Sequence, residues 1–206
     1  MRLIRRSAFT TTRWKNGGGV THEAVREPAG ADAYLWRISV AEIAASGPFS
    51  DFAGYRRHML LLQGDGVSLR FSNGERRSLR QVGDLAEFDG ALRTECDLLG
   101  GPCADLNLMT ARSTVTADAR VRRLSEPVVL SARPGETLAI FCMDRALLIE
   151  HGTSAPATLG RWDLALVNAS GAGIRCSADR GEDTQVFVAR LARSAPSVPR
   201  EDQHAR

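Results

Sequence analysis

The chain has 206 residues, 43% of them hydrophobic and 25% charged, with a formal net charge of +3. That supplies core material for one large domain or two small ones, and the arginines stand in ones and twos rather than in a basic run interleaved with aromatics, so no nucleic-acid partner is expected. No run reaches membrane-spanning length, the basic start Met1 to Arg6 lacks the apolar stretch and cleavage site of a secretory signal, and Cys96, Cys103, Cys142 and Cys176 show no C-x-x-C spacing; the expectation is a cytoplasmic protein with reduced thiols and no membrane partner.

In chain order, the first notable segment is Trp14-Lys15-Asn16-Gly17-Gly18-Gly19-Val20-Thr21-His22-Glu23, which holds the only lysine among 27 basic residues. Three glycines free the backbone for φ > 0, so the segment is expected to offer N–H groups as an anion nest beside a compact point charge; the alternative is a lysine surviving by chance in a glycine turn. Residues 34–41 alternate as a strand with Leu35 and every second residue on one face and Trp36 and Ile38 on the other. Residues 40–45 and 117–123 read as brief helical turns. Residues 58–62 form a short apolar run turned by Gly64-Asp65-Gly66, and 67–71 alternate up to the turn Ser72-Asn73-Gly74. Further strands are expected at 84–88, 105–110, 128–131, 137–142, 146–150, 163–168 and 185–191, and a disordered polar tail after about Ser194. Asp84-Leu85-Ala86 and Asp163-Leu164-Ala165 lie 79 residues apart, and the same offset lays Asp65-Gly66-Val67-Ser68-Leu69 over Asp144-Arg145-Ala146-Leu147-Leu148. This echo predicts two duplicated β-barrel lobes dividing near residues 112–124.

Trp14-Lys15-Asn16-Gly17-Gly18-Gly19-x-Thr21-x-Glu23, Trp36-Arg37-Ile38-Ser39-Val40-Ala41, Gly47-Pro48-Phe49-Ser50-x-Phe52-x-Gly54-x-x-Arg57, Phe88-Asp89-Gly90 and Asp105-x-Asn107-x-Met109-x-x-Arg112 resemble the HutD/Ves family in the family's order. The resemblance covers about the first 112 residues and continues more loosely to about residue 191. It implies an all-β bicupin, with a first cupin lobe and ligand pocket in residues 1–112, a second lobe in 113–193 and the tail in 194–206. It also implies an association with bacterial histidine utilisation, through binding of a small anion such as formylglutamate or urocanate that restrains the pathway. The resemblance brings no settled catalytic activity.

The residue chemistry fits a carboxylate ligand. Lys15 can neutralise one carboxylate and Arg37 and Arg57 can offer forks to a second, while Asn16, Thr21, Glu23, Asp105 and Asn107 complete the candidate ligand-binding set with polar contacts. The competing structural reading makes Arg37 an ion-pair partner of Glu23 or Asp105, and Trp14 and Trp36 core fillers. A metal cupin presents H-x-H with a nearby Glu and a later His, whereas His22, His58, His151 and His204 stand alone, so no metal and no cofactor are expected. There is no G-x-S-x-G, P-loop or G-x-G-x-x-G. Two classes remain: a non-catalytic binding protein that modulates a pathway, and a metal-independent cupin isomerase or hydrolase with Lys15 or Glu23 as acid–base group. The sequence leaves a homodimer open.

Overall fold

The computed structural model describes residues 1–168, 173–179 and 183–194. The tail predicted after Ser194 lies outside them. The described residues form strands β1 (Arg2–Ile4), β2 (Thr10–Arg13), β3 (Gly19–Glu27), β4 (Trp36–Ile43), β5 (Gly47–Pro48), β6 (Tyr55–Gln63), β7 (Val67–Phe71), β8 (Arg76–Leu79), β9 (Leu85–Asp89), β10 (Thr94–Leu98) and β11 (Cys103–Ala111). The chain continues with β12 (Val115–Leu124), β13 (Val128–Leu130), β14 (Glu136–Cys142), β15 (Leu147–His151), β16 (Ala157–Leu159), β17 (Leu164–Asn168), β18 (Ile174–Ala178) and β19 (Thr184–Arg193). A 3₁₀ turn spans Arg6–Ala8. Of the helical turns expected at 40–45 and 117–123, residues 40–43 and all of 117–123 are instead strand: β4 and β12 pair along their lengths with β11 and β19, and these ladders override the helix-favouring Ala, Glu and Arg content.

The strands make four sheets, two to each lobe. In the first lobe the large sheet runs β2-β3-β4-β11-β6-β9 and the small one β5-β10-β7-β8; in the second the large sheet runs β1-β17-β14-β19-β12 and the small one β13-β18-β15-β16. The order β4-β11-β6-β9 is repeated as β12-β19-β14-β17, and β5-β10-β7-β8 as β13-β18-β15-β16. The fold is a bicupin, with two double-stranded β-helix lobes in one chain.

The ladders refine the sequence echo. Leu60 pairs with Leu85 as Phe141 pairs with Leu164, so the Asp-Leu-Ala segments are true counterparts. In each, the aspartate caps the turn ahead of its strand: Asp84 Oδ2 accepts the N–H of Gln81 at 3.0 Å, and Asp163 Oδ2 that of Gly160 at 3.0 Å. The second overlay slips by one residue. Leu69 pairs with Cys96 as Ile149, not Leu148, pairs with Cys176.

Each lobe has its own apolar filling, and a third apolar layer joins them. Ile38, Val40, Leu60, Leu106 and Leu108 of the first large sheet pack against Ala139, Phe141, Leu164, Phe187 and Ala189 of the second. Alternation along β4, β6 and β11 then turns Arg37, Ser39, Arg57, Asp105 and Asn107 to the opposite face, into the first barrel. The N-terminus straps the lobes. Residues 2–4, expected within the first lobe, pair as β1 with β17 of the second; Arg5 then bonds Asp163 at 2.7 Å before the chain enters β2.

Phe141→Ala, which removes a fully buried ring from the layer between lobes, is expected to cost about 3–5 kcal/mol in urea unfolding. Because that layer is shared, tryptophan fluorescence and far-UV circular dichroism should report coincident transitions in both proteins.

Candidate functional site

All eight residues of the sequence-derived set line one cavity in the mouth of the first barrel, of about 620 Å³. That volume suits a small organic ligand. Its floor is built from β6 and β11. Arg57, 6% exposed, donates from Nη2 to Asn107 Oδ1 at 2.7 Å, and Asn107 Nδ2 donates to Asp105 Oδ2. Arg57 and Asp105 therefore communicate through an amide and make no direct ion pair. The Arg57 guanidinium lies 5.3 Å from the ring centres of Phe49 and Phe52 and 5.0 Å from that of Phe88. This cage supplies cation–π attraction in place of water.

Burial sets the electrostatics of the floor. Asp105 is 1% exposed and its Oδ1 has no hydrogen-bond partner. Loss of hydration raises its carboxyl to about 7, with Arg57 pulling the other way. The same loss lowers Arg57 to about 10, against the attraction of Asp105. Arg57 Nε is likewise without a partner.

The middle of the wall holds Arg37 and the pair Glu23–Arg26. Arg37 sits 5.4 Å from the ring centres of Tyr34 and Phe52, donates from Nη2 to Met109 Sδ at 3.2 Å, and leaves Nε unpartnered. Among the described residues no carboxylate lies at ion-pair distance from it, so the structural ion pair weighed for Arg37 does not form. Glu23 instead receives both Nε and Nη2 of Arg26, at 2.7 and 2.6 Å. Residues three apart on a regular strand face opposite sides; a bulge between Glu23 and Val25 returns Arg26 to the face of Glu23. That irregularity hid Arg26 from a reading based on alternation.

The glycine segment forms the rim, but not as an anion nest. Only Gly17 has positive φ, at 71°. Its N–H bonds Trp14 O at 3.1 Å, and the Gly18 N–H bonds Asn16 Oδ1 at 3.0 Å, so the donors close the turn on itself. Gly19 serves close packing: a Cβ there would lie 2.4 Å from Glu42 O. Lys15 is exposed at the mouth with no partner among the described residues. Trp14 donates to Thr21 Oγ1 at 2.8 Å and stands edge-on to Phe49, as a cavity wall rather than core filler, whereas Trp36 is buried in the layer between lobes. Phe49, Phe52 and Ser39 also line the cavity. They sit within the family-like motifs, which was the available signal for them.

The metal expectation of a cupin can be tested on the donor set. The floor offers the guanidinium of Arg57, the amide of Asn107 and the carboxyl of Asp105, the wall adds the guanidinium of Arg37, and Glu23 is occupied by Arg26. His22 bonds Thr11 and Glu42, while His58 pairs with Glu87 at 3.6 Å beside the interlobe layer. Among the described residues no three His, Cys, Asp or Glu side chains converge. These residues do not fit a metal centre. All four cysteines are buried and their thiols are pushed up to about 12, so they offer no ready nucleophile. A second cleft, of about 750 Å³, opens between the lobes near Met1 and Arg193 and holds no buried charged floor.

The barrel of the second lobe has lost this floor. Following the ladders from the Asp-Leu-Ala anchor, Arg57 corresponds to Leu138, Asp105 to Val186 and Asn107 to Val188. All three are buried apolar residues.

Two outcomes follow from this geometry. The raised carboxyl of Asp105 means that the native state holds its proton more tightly than the unfolded chain; its contribution to stability falls as pH rises from about 4 towards 7 and is level above that. Asp105→Asn should therefore gain stability over wild type progressively across that window in urea titrations. Gly19→Ala should cost about 1–3 kcal/mol in the same assay, because the added methyl meets a backbone carbonyl.

The chain as a whole matches a known family. Residues 6–186 match the model described as HutD. An uncharacterized 21.2 kDa protein in the hutC 3′ region of Pseudomonas putida is 42% identical over 112 residues, 54% of this chain and 58% of that protein. Protein Ves of Escherichia fergusonii is 32% identical over 109 residues, 52% of this chain and 56% of that protein. The matched stretch thus spans little more than half the length of these curated relatives. A conserved protein of unknown function from Pseudomonas aeruginosa PAO1 superposes with a TM-score of 0.83 at 28% identity, over 94% of this chain and 99% of that one. HutD from Pseudomonas fluorescens SBW25, from a formate condition, does so with a TM-score of 0.76 at 26% identity and the same coverage. With nearly the whole chain matched, the protein belongs to the HutD family.

Proposed function

We propose that the first-lobe cavity binds a small carboxylate of the formylglutamate type, and that its occupancy modulates bacterial histidine utilisation. The observation that carries this reading is the pair Arg37 and Arg57. Both guanidinium groups are held against aromatic rings in the cavity, with no carboxylate among the described residues at ion-pair distance and N–H groups left over. Guanidinium forks so placed suit a carboxylate partner. Lys15 at the mouth can serve a second carboxylate. The pathway association leans on the hutC-region name of the Pseudomonas putida relative and on family membership.

Asp105 favours a second reading, as an enzyme acting on a similar acid. A buried carboxyl titrating near 7 is suited to move a proton at neutral pH. The two readings separate in one set of measurements: calorimetric titration with formylglutamate, urocanate, histidine and glutamate, followed by NMR of the recovered ligand. Binding protein behaviour is saturable heat, unchanged ligand, and affinity weakened by about 1.5–3 kcal/mol in Lys15→Met, Arg37→Met and Arg57→Met, the scale of a lost charged hydrogen bond. Conversion of the ligand that falls about 10²–10⁴-fold in Asp105→Asn would select the enzyme. Absence of heat with every acid would remove the carboxylate reading.

A further inference from the structure

We propose that the cavity takes up its carboxylate together with one proton from solvent, and that Asp105 is the residue that receives it. The inference rests on the carboxylate-binding reading above and adds to it a linkage between occupancy and pH.

The floor holds one positive and one negative group, Arg57 and Asp105, both almost fully buried. Arg57 spends Nη2 on Asn107, and Asn107 spends its amide N–H on Asp105 Oδ2. The three side chains form a single chain of donors and acceptors, with Asp105 Oδ1 left open at its end. A ligand carboxylate drawn to Arg57 brings a second negative charge to a floor whose cation already serves Asp105. Two carboxylates this close in low dielectric, with Asp105 reaching Arg57 only through Asn107, cannot both stay ionised without a large electrostatic cost, and the pair relieves it by holding a proton. With Oδ2 engaged by Asn107, that proton bonds to Oδ1. The new O–H turns a repelling anion into a hydrogen-bond donor, and no bond of the ligand is broken.

Groups on the surrounding elements do not take this role. On β3, Glu23 is bound at both oxygens by Arg26. Cys103, on β11 with Asp105, and Cys96 on β10 are held up at about 12, protonated throughout the neutral range. Arg57 on β6, lowered to about 10, stays charged there. Arg37 on β4 and Arg13 and Lys15 at the rim are cations that add attraction for the anion, and Tyr34 packs over Arg37, its hydroxyl raised by burial. Free Asp105 already stands at about 7, so a modest further push upward suffices to protonate it at neutral pH.

The test is calorimetry of the full chain with formylglutamate and with formate as probes, in phosphate and in Tris, whose ionisation enthalpies differ widely, at pH 6 and pH 8. The expected result at pH 8 is a buffer-dependent enthalpy corresponding to about one proton taken up per ligand, shrinking at pH 6 where Asp105 is already protonated. The dissociation constant should rise about tenfold per pH unit above the titration of free Asp105, and Asp105→Asn should bind with neither buffer nor pH dependence. A ¹³C carboxyl titration of the wild-type protein gives an answer independent of how well that variant folds: the Asp105 midpoint must move up on saturation. Saturable binding with equal enthalpies in both buffers at pH 8, or proton uptake retained in a folded Asp105→Asn, overturns the linkage and leaves the carboxylate site standing. No heat with either probe overturns both.

Discussion

The apolar layer between the two large sheets is the constraint on which the rest of the molecule depends. A cupin barrel that stood alone would fill its interior with side chains to gain a core. Here β4, β6 and β11 bury their even-numbered apolar residues against the partner lobe, where Leu60, Leu106 and Leu108 meet Phe141 and Phe187. Hydrophobic burial on that outer face, added to the apolar filling that Ile43, Met59 and Leu61 give the barrel, leaves the rest of the inner face free of packing duty. The inner face can then carry Arg37, Ser39, Arg57, Asp105 and Asn107, a set too polar to nucleate anything. Binding capacity in one lobe is thus a by-product of how firmly it leans on the other.

The two lobes divide this work. Strand order is the same in both, yet the floor of the second barrel is Leu138, Val186 and Val188 where the first has Arg57, Asp105 and Asn107. Duplication gave two equivalent frames, of which one is packed for stability and the other opened for chemistry. Cys96 and Cys176, counterparts in the small sheets, remain buried in both cores and mark what the frames still share.

Much of this was legible in the chain because period-two alternation is a strong signal. Arg37 against Ile38, and Asp105 and Asn107 against Leu106 and Leu108, already separate a polar face from an apolar one. The family-like motifs located the rim and the aromatic wall around Phe49 and Phe52. What escaped depended on irregular geometry or on partners remote in sequence. The bulge after Glu23 brought in Arg26, and the glycine segment proved to spend its N–H groups on its own turn. Residues 40–45 and 117–123 look helical by composition, yet 40–43 and 117–123 become strand because β11 and β19 lie beside them. Nothing local to Arg2, Leu3 and Ile4 announces that their ladder lies in the far lobe.

That first strand also ties the order of synthesis to the order of assembly. Leu3 pairs with Ala165, so β1 has no partner until β17 has been made. Until then the first lobe can form its barrel, but the segment ahead of Thr10 stays unpaired, and so does the Arg5 contact to Asp163. A fusion at the N-terminus would sit at the closing seam of the molecule rather than at a loose end. The strap that holds the lobes face to face can be set only once β17 is in place.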